Sequence, residues 1–227
     1  MIKIISLRSK VLTLCALGLS ACGNSDAQSL GQIAGAIVTQ ITSDAPDAGD
    51  ARAQLTPAVV AAVEEPFLLV SLPVRDASAT FRLFANIDGR TDWRGSDGIS
   101  VVTAQDIVVA TRGLGADLFL AEADGLRAAL AIGSGTITRR HSHLDGENRE
   151  IVQQYQCDVS VAGVETVDLI ARIVATRRID EACLPTGREG EAFTNNYWIG
   201  IDDGLIWQSN QWISDDIAYI IIQHLKR

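Results

Sequence analysis

Hydrophobic and polar positions change period once along this chain, at about residue 67. Before that point Leu30, Ile33, Ala34, Ile37, Val38 and Ile41 recur three and four apart, which predicts an amphipathic helix over 29–42. A stretch rich in Ala and Asp, Ser43 to Gln54, reads as a loop. Thr56-Pro57 supplies an N-cap and a proline at the first helical position, so a short second helix should run to about Glu65, where Pro66 stops it. From Phe67 onward the period is two. Short β-branched and aromatic runs are separated by Asp88-Gly89, Asp97-Gly98, Asp145-Gly146, Ala162-Gly163 and Asp203-Gly204. The clearest strand sets Ile151, Gln153, Tyr155, Cys157, Val159 and Val161 on one face; beyond Gly163 a second run aligns Val167, Leu169, Ala171, Ile173 and Ala175. Leu118, Ala121, Leu126 and Leu130 fit a helical face in part, predicting a short helix within 117–131. The predicted fold is mainly β: an antiparallel β-barrel or sandwich of consecutive hairpins, with one or two N-terminal helices and that short insertion.

The N-terminus follows a different logic. Lys3, Arg8 and Lys10 precede an apolar run from Val11 to Leu19, then small residues, the order of a secretory signal. The run is shorter than the roughly 20 residues a membrane-spanning helix needs. Leu19-Ser20-Ala21-Cys22 resembles the lipobox of bacterial lipoproteins, which implies that residues 1–21 are removed and Cys22 carries lipid. Residues 22–55 then form a tether with helix and loop, and 56–227 a single domain. Gly23 and Asn24 supply no aspartate directly after the cysteine, so the outer membrane is the expected destination.

Without the signal, 16 cations face 28 anions, which argues against a nucleic-acid binder or a protein held on anionic lipid by a basic surface. Cys15 leaves with the signal, so Cys157 and Cys183 are two thiols in an oxidising compartment and a disulfide is expected. Closing that loop contributes about 3–4 kcal/mol in the chain-entropy model. One tension follows. With Ala162-Gly163 as a two-residue turn, Cys157 lies opposite Asp168, and Cys183 is fifteen residues further on. Bridging then requires a hard bend in the strand.

Candidate chemistry is sparse. In Thr111-Arg112-Gly113-Leu114-Gly115-Ala116-Asp117-Leu118, Gly113 and Gly115 could expose backbone N–H groups to an anion beside Arg112. The alternative is a tight turn needing positive φ, with Arg112 paired to an internal carboxylate. His141 and His143 share one side of a strand but lack further ligands for zinc, and read as a solvated strand end. Asp145-Gly146-Glu147-Asn148 lacks the ligand ladder of a calcium loop. The last third gathers Phe193, Tyr197, Trp198, Trp207, Trp212 and Tyr219 among Asn195, Asn196, Gln208 and Gln211. Tyr197, Trp198, Trp207, Gln208, Gln211 and Trp212, with Arg112, Gly113 and Gly115, are the candidate glycan- or partner-binding residues. The competing reading makes the aromatics barrel wall. No nucleophile motif, metal set or cofactor-binding motif stands out.

The lipobox, Thr56-Pro57, the 111–118 segment, Leu144-Asp145-Gly146-Glu147, Cys157, Glu181-Ala182-Cys183, Phe193-Thr194-Asn195-Asn196-Tyr197-Trp198 and Ile206-Trp207-Gln208-Ser209-Asn210-Gln211-Trp212 occur in the order found in the YjbF/GfcB-like lipoproteins, which the chain resembles over nearly all of its mature length. That family is linked to group 4 capsule and exopolysaccharide production. The resemblance implies a mostly β outer-membrane lipoprotein facing the periplasm, encoded with polysaccharide-export components, and assigns no catalytic residues. The expected role is a non-enzymatic accessory factor whose partners are the membrane, through Cys22, and polysaccharide-export proteins, with polysaccharide itself as a further candidate. A periplasmic glycan-binding module and a polysaccharide-modifying hydrolase are the rivals.

Overall fold

A computed structural model describes residues 50–187 and 190–227. The signal segment, Cys22 and the helix at 29–42 lie outside the described residues. Asp50 accepts the N–H groups of Arg52 and Ala53, so Ala51–Gln54 forms a one-turn helix, α1, where a loop was expected. Thr56 Oγ1 caps α2 (Pro57–Ala62) from Val59 N at 3.3 Å, with Pro57 at the first position as its sequence predicts.

Twelve strands follow: β1 (Phe67–Leu72), β2 (Ala77–Ile87), β3 (Arg90–Gly95), β4 (Ser100–Ala104), β5 (Ile107–Arg112), β6 (Leu120–Glu122), β7 (Ser134–Leu144), β8 (Glu150–Asp168), β9 (Ile173–Pro185), β10 (Phe193–Gly200), β11 (Ile206–Ser214) and β12 (Ala218–Lys226). They form one antiparallel sheet in the order β5-β4-β3-β2-β1-β12-β11-β10-β9-β8-β7-β6. The chain winds from β1 to β5, crosses to β6, and returns until β12 lies beside β1. The two ends of the sheet come together just ahead of β6, where Thr111 N of β5 donates to Leu118 O at 2.9 Å, so the sheet is a nearly closed barrel.

The helix expected within 117–131 is confined to α3 (Leu126–Ile132). Gly125 and Gly133 bound it, both at positive φ, and Gly133 N closes its last turn on Ala129 O at 2.7 Å. Ahead of it, Leu120–Glu122 pairs with β7 as a strand. Leu126 and Leu130 are fully buried on one side of α3 and face Ile137, Tyr155, Cys157, Ile179 and Tyr197. Burying each leucine is worth about 1.5–3 kcal/mol. A second interior cluster gathers Leu68, Val70, Phe81, Trp93, Val101, Ile213, Ile220 and Ile222. A third collects Val60 of α2, Phe67 and Leu69 of β1, Val167, Leu169 and Leu225. Phe67-Leu68-Leu69-Val70 is therefore buried on both faces, which explains why it is a continuous apolar run instead of an alternating one.

The turn assigned to Ala162-Gly163 is not there. β8 runs unbroken for 19 residues, and Ala162 falls between the pairs Val161↔Ile179 and Gly163↔Arg178 as a bulge. The reversal comes later, where Leu169 N bonds Arg172 O at 2.8 Å. Val167 and Val174, expected on one strand, are cross-strand partners. In this register Cys157 lies directly opposite Cys183, Cα atoms 4.0 Å apart, and the two form a disulfide.

Candidate functional site

The 111–118 segment forms the tight turn, and its cradle is filled from within. The Asp117 carboxylate accepts Gly113 N (2.9 Å), Leu114 N (3.0 Å) and Thr111 Oγ1 (3.0 Å), occupying the N–H groups an outside anion would need. Gly113 and Gly115 take φ of +89° and +96°, and a Cβ on Gly113 would meet Ile99 at 3.3 Å. Among the described residues Arg112 pairs with no carboxylate. Its guanidinium donates to the carbonyls of Thr111, Leu118 and Phe119 and lies 5.2 Å from the Phe119 ring centre.

The aromatic segments line the wall, and the polar handles of Tyr197, Trp198 and Trp207 are taken by neighbours. Tyr197 and Trp207 are buried; Trp198 and Trp212 are half-buried. Trp198 Nε1 donates to Glu165 at 2.8 Å, and Trp207 Nε1 to Asp203 at 3.0 Å. The Arg172 guanidinium carbon sits 3.8 Å from the Trp207 ring centre. Trp212 stacks on Phe193 at 5.9 Å and meets Tyr219 edge-on at 5.2 Å. Gln208 Oε1 accepts Gln223 Nε2 at 2.7 Å. Gln211 accepts Val108 N at 3.0 Å and donates to Asp106 O at 3.3 Å, so one side-chain amide satisfies a backbone N–H of β5 and the carbonyl just ahead of that strand.

Sequence reasoning missed the most organised polar group. Arg139 of β7 and Glu181 of β9 form a two-pronged pair at 2.9 and 3.0 Å with side chains 1% and 0% exposed. The same carboxylate accepts Tyr197 Oη at 2.9 Å and Asn195 Nδ2 at 2.8 Å, and Asn195 Oδ1 accepts Trp212 N at 2.7 Å. Burial works against the Arg139 charge, but Glu181 outweighs it and holds the guanidinium above its ordinary range. Burial, reinforced by Glu181, pushes the Tyr197 phenol well above its usual value. The signal lay in strand parity: Cys157 and Cys183 face inward, so Glu181 does too, as do Asn195 and Tyr197 on β10.

His141 corrects the expectation of a solvated strand end. It is fully buried beside Arg139, whose Nη1 is 3.3 Å from His141 Nε2, and it stacks on Phe193. Burial first, then the Arg139 charge, holds its pKa well below the usual histidine value, so the ring is neutral. His143 is half-buried, with Nδ1 3.2 Å from Asp117 O. A Glu181 oxygen lies within 4.8 Å of both cysteine sulfurs, but these are bonded to each other and offer no thiolate to a metal. Two carboxylates have shifted titrations. Burial raises Asp106, yet His224 and Arg227 outweigh it and lower the pKa; at Asp145 backbone N–H groups of Arg149 and Glu147 lower it. Both shifts run opposite to what a general acid requires.

A cleft of about 760 Å³ follows the seam between β5 and α3, lined by Arg90, Gln105, Val109, Glu122, Asp124 and Arg127. The molecule thus belongs to the class of nearly closed antiparallel barrels with a disulfide-stapled, polar-centred interior. The family model described as group 4 capsule polysaccharide lipoprotein gfcB, YjbF, matches residues 34–225, and the chain belongs to that family. Among solved structures, the crystal structure of the hypothetical lipoprotein YmcC from Escherichia coli (K12) is similar with a TM-score of 0.68 and 22% identity, over 77% of this chain and 90% of that one. That likeness speaks for the fold. No curated protein matches the chain.

Proposed function

We propose that this lipoprotein is a non-enzymatic accessory factor in capsule or exopolysaccharide assembly or export, held by lipid on Cys22 at the outer membrane and facing the periplasm. The observation that carries this reading is the family match over residues 34–225. The geometry supports a scaffold. The polar groups of Trp198, Trp207 and Gln211 are engaged by Glu165, Asp203 and the β5 backbone, and the Arg139–Glu181 pair is sealed from solvent. The functional surface is then the outside of the barrel, docking export proteins encoded nearby. Deleting the gene should lower exported polysaccharide, and the intact gene supplied in trans should restore it. Unchanged export in the deletion strain removes the proposal. Exchanging Cys22 for Ser should mimic the deletion if anchoring is required.

A further inference from the structure

The β2–β3 hairpin carries exposed apolar side chains among arginines on its outer face. Phe84 is 60% and Ile87 67% exposed on β2. Phe84 is the extra residue of a bulge, between the pairs Leu83↔Trp93 and Ala85↔Asp92, and the Arg94 guanidinium carbon lies 3.4 Å from its ring centre. Arg82 stands directly opposite Arg94 across the ladder, and Arg90 opposite Ile87. Like charges directly opposed on one sheet face destabilise it unless an anion joins them. Arg94 is tied to Asp92 at 2.8 Å. Among the described residues Arg82 and Arg90 make no salt bridge, and neither donates a side-chain hydrogen bond. Phe84, Ile87, Asp88, Arg90, Asp92 and Arg94 are among the residues that border a groove of about 570 Å³.

Scattered exposed apolar residues need no explanation, but here they lie between Arg82 and Arg90, which have no partner among the described residues, and Arg94, which is paired with Asp92. Three arginines accompany two aspartates over 81–95, in a chain with 28 acidic residues against 19 basic ones. An occupant must therefore be apolar at its centre and anionic around it. A bilayer surface is both, with headgroup phosphates at the level of the guanidinium groups and acyl chains beyond. Family membership makes the chain a lipoprotein, so a bilayer is at hand. The chain also joins the barrel on this same strand. Asp50 Oδ1 accepts Ser78 Oγ at 2.9 Å and Arg52 N donates to it at 3.0 Å, six residues before Phe84 and so about 20 Å along β2. Because the chain is held to lipid through its anchor, a contact at this face is intramolecular to that attachment, and a weak one suffices to orient the barrel.

We propose that Phe84 and Ile87, framed by Arg82, Arg90 and Arg94, form a membrane-contact surface that lays the lipid-anchored barrel on anionic headgroups. The test uses the full-length lipidated protein. Nitroxide labels are placed on Phe84→Cys, Ile87→Cys and, as a control on β9, Leu184→Cys, which is 64% exposed in the native chain. Each is reconstituted in phosphatidylethanolamine vesicles containing a quarter phosphatidylglycerol, and collision with a water-soluble nickel chelate is measured. The labels at 84 and 87 should lose about fivefold in nickel accessibility relative to detergent solution, while the label at 184 stays unchanged. Arg82→Glu with Arg90→Glu should restore accessibility at 84 without moving the melting temperature. Equal nickel accessibility at 84, 87 and 184 in vesicles overturns the proposal. Protection that arises only when a soluble acidic polysaccharide is added overturns it as well, and assigns the face to glycan.

Discussion

Arg139 and Arg82 are the same residue type in opposite settings. Arg139 lies inside the barrel with Nε and Nη2 on Glu181, the Tyr197 phenol also against Nη2 and the His141 imidazole against Nη1. Arg82 lies outside, facing Arg94 with no internal anion of its own. The first guanidinium is costly to bury and is retained only because every partner is in place. The second costs little and is left free to meet something else. In this fold an interior charge reports on architecture and an exterior one on association.

Breaking the interior side should give the largest effect. Glu181→Leu leaves Arg139 buried and unpaired, and denaturant titration should show a loss of about 3–5 kcal/mol. A loss under about 1 kcal/mol would contradict the sealed pair. The double change Arg139→Met with Glu181→Leu should recover part of that loss, since it removes the unpaired charge but leaves Asn195 Nδ2 and Tyr197 Oη without their acceptor. Next in size, Cys157→Ala with Cys183→Ala should cost about 3 kcal/mol, seen as an earlier denaturation midpoint. Asp117→Ala strips three hydrogen bonds from the 111–118 turn and should lower stability by about 1–3 kcal/mol. An unchanged midpoint would mean that the turn holds itself without its carboxylate.

Acidity sharpens the same contrast. His141 and His224 both have folded pKa values below the ordinary histidine value of 6.5, burial being the largest cause in each. The unfolded chain therefore takes up protons first as pH falls. Stability from these groups is complete above about pH 6.5 and declines below it, by at most about 1.4 kcal/mol per pH unit for each. Unfolding free energies measured between pH 7 and 5 should show this slope, and His141→Gln should flatten it. The smallest effect belongs outside: Arg82→Glu with Arg90→Glu should change stability by no more than about 0.5 kcal/mol. A larger loss would place these arginines among the structural charges and erase the distinction.

Much of the wall was legible. Asp88-Gly89, Asp97-Gly98 and Asp145-Gly146 are turns, and the alternation in Tyr155, Cys157 and Val159 is the inward face of β8. Ala162-Gly163 misled because one unpaired residue in a bulge resets the period-two pattern as a turn does. The disulfide was legible from compartment and cysteine count, whereas its register depended on that bulge. The 117–131 helix was overread because Leu118 and Ala121 face inward from the turn and strand β6, at spacings a helix would share. The Arg139–Glu181 cluster draws on residues from β7, β9 and β10, and no local window contains it. Its trace was a charged residue at an inward position of a strand, which calls for a partner from elsewhere in the barrel.

Strand β1 has β2 along one edge, but its other edge is met only by β12, with Phe67 opposite Lys226. A polypeptide delivered amino end first would thus wait with that edge bare until Ala218–Lys226 had emerged. Closure of the wall is a late event, and termination ahead of Ala218 would leave two raw borders, on β1 and β11, ready to zip onto a sibling chain.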